Sequence, residues 1–261
     1  MDKIYIPTLG RCENQITWDH LPVFLKSITK LVVQPKEQPF FKDKPHIVLP
    51  GNDIGMSNTR KWIWEHGKNE IYGVFDDDLK FIKRTPKQKP TKTPMTENDW
   101  KTVIAGVDKW LNGEFGFAGF LRGNLPPRDE NASVNTESLQ ATFYNGKKLP
   151  KVNEIEWTPN QYAQDTKIHL QLFLKGYKNK VWNSYGFTSK QFAEGGCQAD
   201  TSVSPNGRTP EDRDKSHQHI VDTYYPYVQY ITKNGVVVRY ADGARQIRVV
   251  NAGAIIHHWP E

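Results

Sequence analysis

Short apolar runs alternate with stretches of helical periodicity along the first third of the chain. Strands are predicted at residues 4–7, 31–33, 46–49 and 71–75, and helices at residues 18–28 and 59–66. Ser57 or Asn58 can cap the second helix, and Gly67 can end it. Such alternation is typical of an α/β fold with a mostly parallel central sheet flanked by helices.

The remainder of the chain has a less regular pattern but clear helix starts. Thr96 can cap one helix, and Thr209 followed by Pro210 starts another. Helices are predicted at 100–111, 164–174 and 210–224, and strands at 115–120, 141–144, 177–182, 236–238 and 247–250. Without an internal repeat or a long linker, the pattern predicts a single domain over residues 1–261.

Composition excludes several classes of protein. The chain has 261 residues, enough to bury a sizeable core, and its 8 Trp, 11 Tyr and 12 Phe supply much of the apolar area. Its apolar runs are shorter than the roughly 20 residues of a membrane span, and it starts directly with a strand rather than a signal peptide. Two cysteines do not make a disulfide framework. We therefore expect a cytoplasmic protein without membrane contact.

The formal net charge is +6, and part of it lies in one Pro-rich segment, residues 83–94. A basic balance favours a polyanion or a small phosphate-bearing ligand, although a solvated basic surface without a partner is equally compatible. The prolines exclude a regular helix or a central strand. We expect a loop there, with Lys83, Arg84 and Lys87 available to an acceptor's phosphates.

Three adjacent carboxylates, Asp76, Asp77 and Asp78, follow the strand at residues 71–75. Ligands bind beyond the carboxyl ends of the strands in open parallel sheets, and adjacent carboxylates repel one another unless a cation neutralises them. Alternate residues of an extended chain point the same way, so Asp76 and Asp78 can share Mn²⁺ or Mg²⁺. The alternative is a solvated acidic turn or a helix cap.

Several motifs occur in the order found in glycosyltransferases with the A-type (GT-A) nucleotide-diphospho-sugar fold. Residues 74–79 resemble their Asp-x-Asp metal motif, and residues 4–11 resemble their opening strand and nucleotide-binding loop. Residues 55–60 resemble the segment whose Arg approaches the donor phosphates, and residues 164–170 resemble the later Glu-Asp segment. Within this superfamily the chain is most similar to the TET-associated and phage DNA-base glycosyltransferases, on residues 49–50, 55–60, 75–79, 176–180 and 195–197.

The resemblance implies a metal-dependent transfer of a sugar from a nucleotide-diphospho-sugar, a UDP-sugar, to a hydroxymethylated pyrimidine such as 5-hydroxymethylcytosine in phage DNA. The donor half would be residues 1–80 and the acceptor half residues 95–261, in the host cytoplasm if a phage encodes the chain. The implied donor-binding residues are Thr8, Arg11, Arg60, Asp76 and Asp77, and the implied metal ligands are Asp76 and Asp78.

On the acceptor side, the resemblance implies Asp165 as the general base, although Asp165 could equally cap its helix. The sequence departs from the family's pattern here, because Gln164 replaces the usual Glu and leaves one carboxylate. Gly195 and Gly196 would let backbone approach the acceptor, or serve a tight turn. His257 or His258 could complete the metal shell, but ordinary packing or surface histidines are the more common case.

Two other functions remain open from the sequence. Sugar-phosphate nucleotidyltransferases share the sheet and its acidic metal ligands, but they carry a Gly-rich phosphate loop with a Lys that residues 8–11 lack. A non-catalytic domain of the same fold could bind DNA or another partner. Gln164 is compatible with this hypothesis, because it replaces a carboxylate of the family's Glu-Asp pair.

Overall fold

A ten-stranded sheet forms the centre of the computed structural model, which describes residues 1–84, 92–125, 130–158, 162–189, 209–239, 243 and 245–250. Its strands are β1 (Lys3–Pro7), β2 (Thr29–Val33), β3 (His46–Val48), β4 (Ile71–Phe75), β5 (Leu79–Arg84), β6 (Lys92–Pro94), β7 (Phe117–Arg122), β8 (Ala132–Val134), β9 (Ala141–Asn145) and β10 (Asn179–Ser189). Their order is β3-β2-β1-β4-β9-β7-β10-β5-β6, and β8 pairs with β10. Strands from both predicted halves therefore share one sheet.

Most strands of this sheet point the same way. β1 to β4 are mutually parallel, and β10 is parallel to β7. Strands β9, β5 and β8 pair antiparallel with their neighbours and run against the other seven. The predicted fold class, an α/β architecture with a mostly parallel sheet, is confirmed.

Helices cover both faces of the sheet. They are α1 (Ile16–His20), α2 (Val23–Lys26), α3 (Gly55–His66), α4 (Glu97–Asn112), α5 (Gln164–Leu174) and α6 (Pro210–Tyr224), with 3₁₀ helices at Pro35–Phe41 and Val152–Glu154. Two small ribbons pair β11 (Val228–Tyr230) with β14 (Ile247–Val249), and β12 (Thr232–Lys233) with β13 (Val236–Val237). Within the described residues, no helix has the length and apolar character that crossing a membrane requires.

The core has two layers because side chains alternate across each strand. On one face, Ile4 and Phe75 pack with Trp100 of α4. On the other face, Tyr5 and Tyr72 pack with residues of α3 and α5. Strand β4 is consequently buried along its whole length, so the first polar residues in this part of the chain appear at its carboxyl end.

Several predicted helix ends are confirmed by their hydrogen bonds. Thr96 caps α4 and Thr209 caps α6, each in a reciprocal capping box with the residue three positions later. Helix α3 ends at Gly67, whose N–H donates a hydrogen bond to the Ile63 carbonyl. Helix α5 has the predicted bounds, and Gly176 follows it with φ +82°, a conformation that glycine adopts without strain.

Three local predictions are wrong. The helix expected at residues 18–28 is two short helices, because Pro22 lacks an N–H and adopts an extended conformation (ψ 158°). Neither Ser57 nor Asn58 caps α3, which begins at Gly55 without a side-chain cap. The basic segment is not a loop at its ends, since Lys83 and Arg84 finish β5 and Lys92–Pro94 forms an edge strand. Residues 85–91 lie outside the described residues.

Gly146 offers a test of the packing where β9 meets the segment after α3. Its N–H donates to the Glu70 carbonyl, and an added Cβ would lie 2.9 Å from the Lys68 Cα and overlap the Gly67 carbonyl oxygen. We expect Gly146→Ala to lower the free energy of unfolding by roughly 3 kcal/mol, since backbone must move to make room. Gly51→Ala, whose Cβ would meet only the Ile54 side chain at 3.5 Å, is the matched control for urea unfolding. Equal stability of the two variants would contradict this packing.

Candidate active site

The predicted site segments meet at the carboxyl ends of β1 and β4. These strands are parallel neighbours, with Tyr5 opposite Val74, so the residues that follow each strand lie side by side. Thr8 to Arg11 come from β1 and Asp76 to Asp78 from β4. Helix α3 contributes Arg60 from its second turn, and helix α5 contributes Asp165 from its first turn. The sheet topology thus brings residues far apart in sequence to one edge.

Two arginines bridge four carboxylates at this edge. Arg11 bonds to Asp77 and lies 3.4 Å from Asp78 Oδ2. Arg60 bonds to Asp165 and places Nη2 3.0 Å from Asp76 Oδ1. Both arginine side chains are only 11% exposed. We call Arg11, Arg60, Asp76, Asp77, Asp78 and Asp165 the Asp–Arg cluster.

The backbone of the acidic triplet is fixed by Thr17 of α1. The Thr17 N–H donates to the Asp77 carbonyl at 3.0 Å, and its hydroxyl donates to the Asp76 carbonyl at 2.5 Å. The same hydroxyl accepts from the Leu79 N–H at 2.8 Å. Thr8 is buried and accepts a 2.8 Å hydrogen bond from Gln15 Nε2. Thr8 thus shapes the loop from within, and its predicted nucleoside contact stays a prediction.

Gln140, just before β9, connects two carboxylates through its backbone. Its carbonyl accepts from the Asp76 N–H at 2.8 Å, and its N–H donates to Asp165 Oδ2 at 2.9 Å. It does so at φ +63°, a conformation that costs energy for a residue with a side chain. Its side-chain oxygen accepts from Arg122 Nη2 at 3.1 Å. Gln140 therefore holds Asp76 and Asp165 at a fixed separation.

Burial raises the pKa values of the three aspartates, and the attraction of the arginines cancels only part of this rise. Burial raises the pKa of Asp76 to about 7 against the attraction of Arg60, and raises the pKa of Asp77 to about 6 against Arg11. Burial also raises the pKa of Asp78. Because the Asp–Arg cluster contains four carboxylates and two guanidiniums, full ionisation leaves it with excess negative charge, which attracts a cation.

The residues present fit a hard divalent cation. Asp78 Oδ1 is buried and has no hydrogen-bond partner in the described part of the chain, so this oxygen is available as a ligand. Within the same residues, no group of three or more His, Cys, Asp or Glu side chains is arranged to hold a metal. Mg²⁺ commonly binds through one or two carboxylates plus substrate phosphates, which matches this donor set. The metal at Asp76 and Asp78 stays a prediction.

Glu37 is a buried carboxylate beside the loop after β1 that sequence reasoning missed. It is 7% exposed, and its Oε1 accepts from the Gly10 N–H at 2.5 Å. Its Oε2 is buried without a partner among the described residues. An acidic residue in a Pro-containing segment directly after a predicted strand was the signal that could have indicated it.

The predicted acceptor residues have different environments. Lys83 is half-exposed and pairs with Asp99 at 2.8 Å, which leaves part of its surface open. The prediction for Arg84 is wrong, because its side chain is buried. Its guanidinium donates to the carbonyl oxygens of Arg122 and Leu125 and is not exposed to a phosphate of an acceptor. Other predicted residues lie outside the described residues, namely Lys87, Gly195, Gly196, His257 and His258.

A second carboxylate was also missed near Asp165. Glu137 accepts a 2.9 Å hydrogen bond from the Thr166 hydroxyl at the start of α5. No local motif marks this residue, because it is brought to α5 by the pairing of β9 within the sheet. Asp165 itself shares its carboxylate between Arg60 and Gln140, and its assignment as general base stays a prediction.

Comparison with known proteins places the chain in a family. Residues 2–196 match the family model described as TET-Associated Glycosyltransferase. No curated protein matches the chain. The crystal structure of S. aureus TarS 1-349 in complex with UDP-GlcNAc is similar over 84% of this chain and 66% of that chain, slightly under two thirds of its length, with 15% identity and a TM-score of 0.49. CMP:2-keto-3-deoxy-manno-octonic acid synthetase complexed with CTP is similar over 69% of this chain and 88% of that chain, with 11% identity and a TM-score of 0.43. On the family match, which covers most of its length, this chain belongs to the TET-associated glycosyltransferase family.

Proposed function

We propose that the chain transfers a sugar from a UDP-sugar to the hydroxyl of a hydroxymethylated pyrimidine in DNA, with Mn²⁺ or Mg²⁺ held by Asp76 and Asp78. The observation that carries the proposal is the Asp–Arg cluster at the carboxyl ends of β1 and β4, in a chain of a glycosyltransferase family. A buried group of charges at this position suits a ligand that brings both a cation and phosphates.

The donor side follows from the cluster's charges. Arg11 and Arg60 form ion pairs with carboxylates of the cluster, and the planar guanidinium group suits the oxygens of a diphosphate as well as those of a carboxylate. With donor bound, these guanidiniums would contact its phosphates, and Asp76 and Asp78 would hold the cation. The bound metal supplies Lewis-acid stabilisation of the diphosphate that leaves. The choice of uridine as the nucleoside rests on the family resemblance.

The acceptor side rests on family membership and charge. The family is described as TET-Associated Glycosyltransferase, and the resemblance of the chain to DNA-base glycosyltransferases implies a hydroxymethylated pyrimidine as acceptor. The net charge of +6 favours a polyanion. Lys83 presents a half-exposed ammonium group at the end of β5. An enzyme that modifies a base in duplex DNA must extrude that base from the stack. A cytoplasmic location, the host's if a phage encodes the chain, belongs to the same proposal.

The test is a donor screen followed by an acceptor assay. We expect one uridine donor to raise the melting temperature only when Mn²⁺ or Mg²⁺ is present. That donor should then add one hexose or aminohexose mass to a duplex containing a single 5-hydroxymethylcytosine. The matched control duplex carries 5-methylcytosine, which lacks the accepting hydroxyl.

The same screen separates the other two functions. Release of pyrophosphate from CTP or UTP in the presence of a sugar phosphate would replace our proposal with nucleotidyl transfer. Binding of duplex DNA without any metal-dependent loss of a UDP-sugar would replace it with a non-catalytic domain. Transfer to 5-methylcytosine duplex at the same rate would show that the hydroxymethyl group is not the acceptor.

A further inference from the structure

The transfer needs a group that removes the acceptor's proton, and both oxygens of Asp165 are already engaged. Oδ1 is bonded to the Arg60 guanidinium, and Oδ2 accepts from the Gln140 N–H at 2.9 Å. A carboxylate held by a cation and an N–H is well placed to position that cation. Each oxygen already uses a lone pair in one of these contacts, so fewer directions remain from which an acceptor hydroxyl can approach Asp165.

Glu137 also lies at the start of α5, and its carboxylate has fewer hydrogen-bond partners than that of Asp165 within the residues that the structure describes. Thr166, the residue after Asp165, donates its hydroxyl to Glu137 Oε1 at 2.9 Å. Among the described residues this is the only hydrogen bond to the Glu137 carboxylate, so Oε2 remains free to accept a proton. Thr166 is itself buried, which fixes the direction of the bond.

The surroundings of Glu137 make it a stronger base than an exposed glutamate, because its pKa is raised above the ordinary value. Burial raises the pKa of Glu137, and the negative charge of Asp165 on α5 adds to this rise. The Thr166 hydroxyl and the Arg122 guanidinium at the end of β7 oppose it. A general base works best when its pKa approaches the working pH, and burial of a carboxyl group is the usual way to achieve this.

We propose that Glu137, rather than Asp165, is the general base that accepts the proton of the acceptor hydroxyl, and that Thr166 orients it. This inference rests on the proposed glycosyl transfer. It also supplies the second carboxylate that Gln164 removes from the expected Glu-Asp pair, by a residue from a different part of the chain.

The step balances without any further reactant. The acceptor oxygen forms a bond to the anomeric carbon of the donor as its O–H proton moves to Glu137 Oε2. The bond between that carbon and the diphosphate oxygen breaks, and its electron pair leaves with the nucleoside diphosphate. Glu137 then loses the proton to solvent. Attack opposite the leaving group inverts the anomeric carbon, so an α-linked donor gives a β-linked product.

Glu137→Gln keeps the shape of the side chain and removes the base. We expect it to lower kcat for transfer from the UDP-sugar to 5-hydroxymethylcytosine duplex by about 100- to 10,000-fold, the usual contribution of a general base. The Kd for UDP with Mn²⁺ should stay unchanged. At saturating UDP-sugar and Mn²⁺, which favour the ionised forms of Asp76, Asp77 and Asp78, wild-type kcat should fall at acidic pH as Glu137 becomes protonated. This acidic limb of the pH–rate profile should be absent in the variant. Glu114→Gln, an exposed glutamate paired with Lys178, is the matched control and should keep wild-type kcat.

Asp165→Asn and Thr166→Val make the assignment decisive. Asp165→Asn should raise the donor KM, because Arg60 loses the carboxylate that holds it in position. It should keep the fall of kcat at acidic pH. Thr166→Val should lower kcat while Thr166→Ser restores it, which tests Glu137 even if Glu137→Gln fails to fold. Wild-type kcat in Glu137→Gln, loss of the acidic limb in Asp165→Asn instead, or a product with retained configuration would overturn the proposal. A wild type that binds no UDP and consumes no UDP-sugar would refute the glycosyl transfer itself, and the base assignment with it.

Discussion

Replacing Arg60 with methionine is expected to lower the free energy of unfolding by about 3 to 5 kcal/mol, the usual cost of removing one partner from a buried ion pair. Arg60 is 11% exposed and bridges Asp76 and Asp165, whose side chains are 24% and 14% exposed. Without the guanidinium, two largely buried carboxylates face each other with no cation between them. Urea unfolding of the metal-free protein at neutral pH measures the effect.

A double variant tests the physical cause. Adding Asp165→Asn to Arg60→Met removes one of the two stranded charges, so we expect it to restore part of the lost stability rather than lower it further. Arg239→Met is the matched control, because Arg239 pairs with Asp214 at 2.9 Å but is half-exposed, and exposed pairs contribute under about 1 kcal/mol. Equal losses for the two arginine variants would show that burial of the Arg60 bridge is not what matters.

The parts of this site that could be predicted from the sequence are those with local signals. The triplet Asp76 to Asp78 follows an apolar run that could only be a buried strand, and parallel topology then places it at the ligand-binding edge. Thr96 and Thr209 were predictable as caps, because a capping box needs only a side-chain oxygen and a carboxylate three residues later. Arg60 was indicated by the order of motifs, although its bridge to both Asp76 and Asp165 was not.

The parts that could not be predicted depend on long-range pairing. Glu137 and Gln140 precede β9, which inserts antiparallel between β4 and β7, and nothing near them in sequence reveals that neighbour. Strand β5 was missed although Lys80 and Lys83 are exposed between buried Leu79, Phe81 and Ile82, because the prolines that follow dominated the interpretation of the segment. The burial of Arg84 follows from the same error, since a strand end between β10 and β6 can bury a side chain that a loop would expose.

Asp78→Asn is expected to separate function from stability more clearly than any other substitution in the cluster. Because burial raises the pKa of Asp78, the folded chain disfavours its charged form, and a neutral amide of the same shape should not lower the free energy of unfolding. Metal-dependent binding of the donor, in contrast, should become weaker. The variant loses the negative oxygen, Oδ1, that has no hydrogen-bond partner among the described residues and suits a cation.

We therefore expect the metal-dependent rise in melting temperature with UDP to disappear in Asp78→Asn, and transfer to fall by about 100-fold or more, as loss of several kcal/mol of metal stabilisation implies. Asp43→Asn, at an exposed aspartate remote from the cluster in sequence, should change neither quantity. If Asp78→Asn instead lowers stability and leaves the effect of Mn²⁺ intact, Asp78 serves only as a partner of Arg11. A functional carboxylate that is buried at a cost in stability should lose donor binding, but not stability, when its charge is removed. A carboxylate with a purely structural role should instead lose stability.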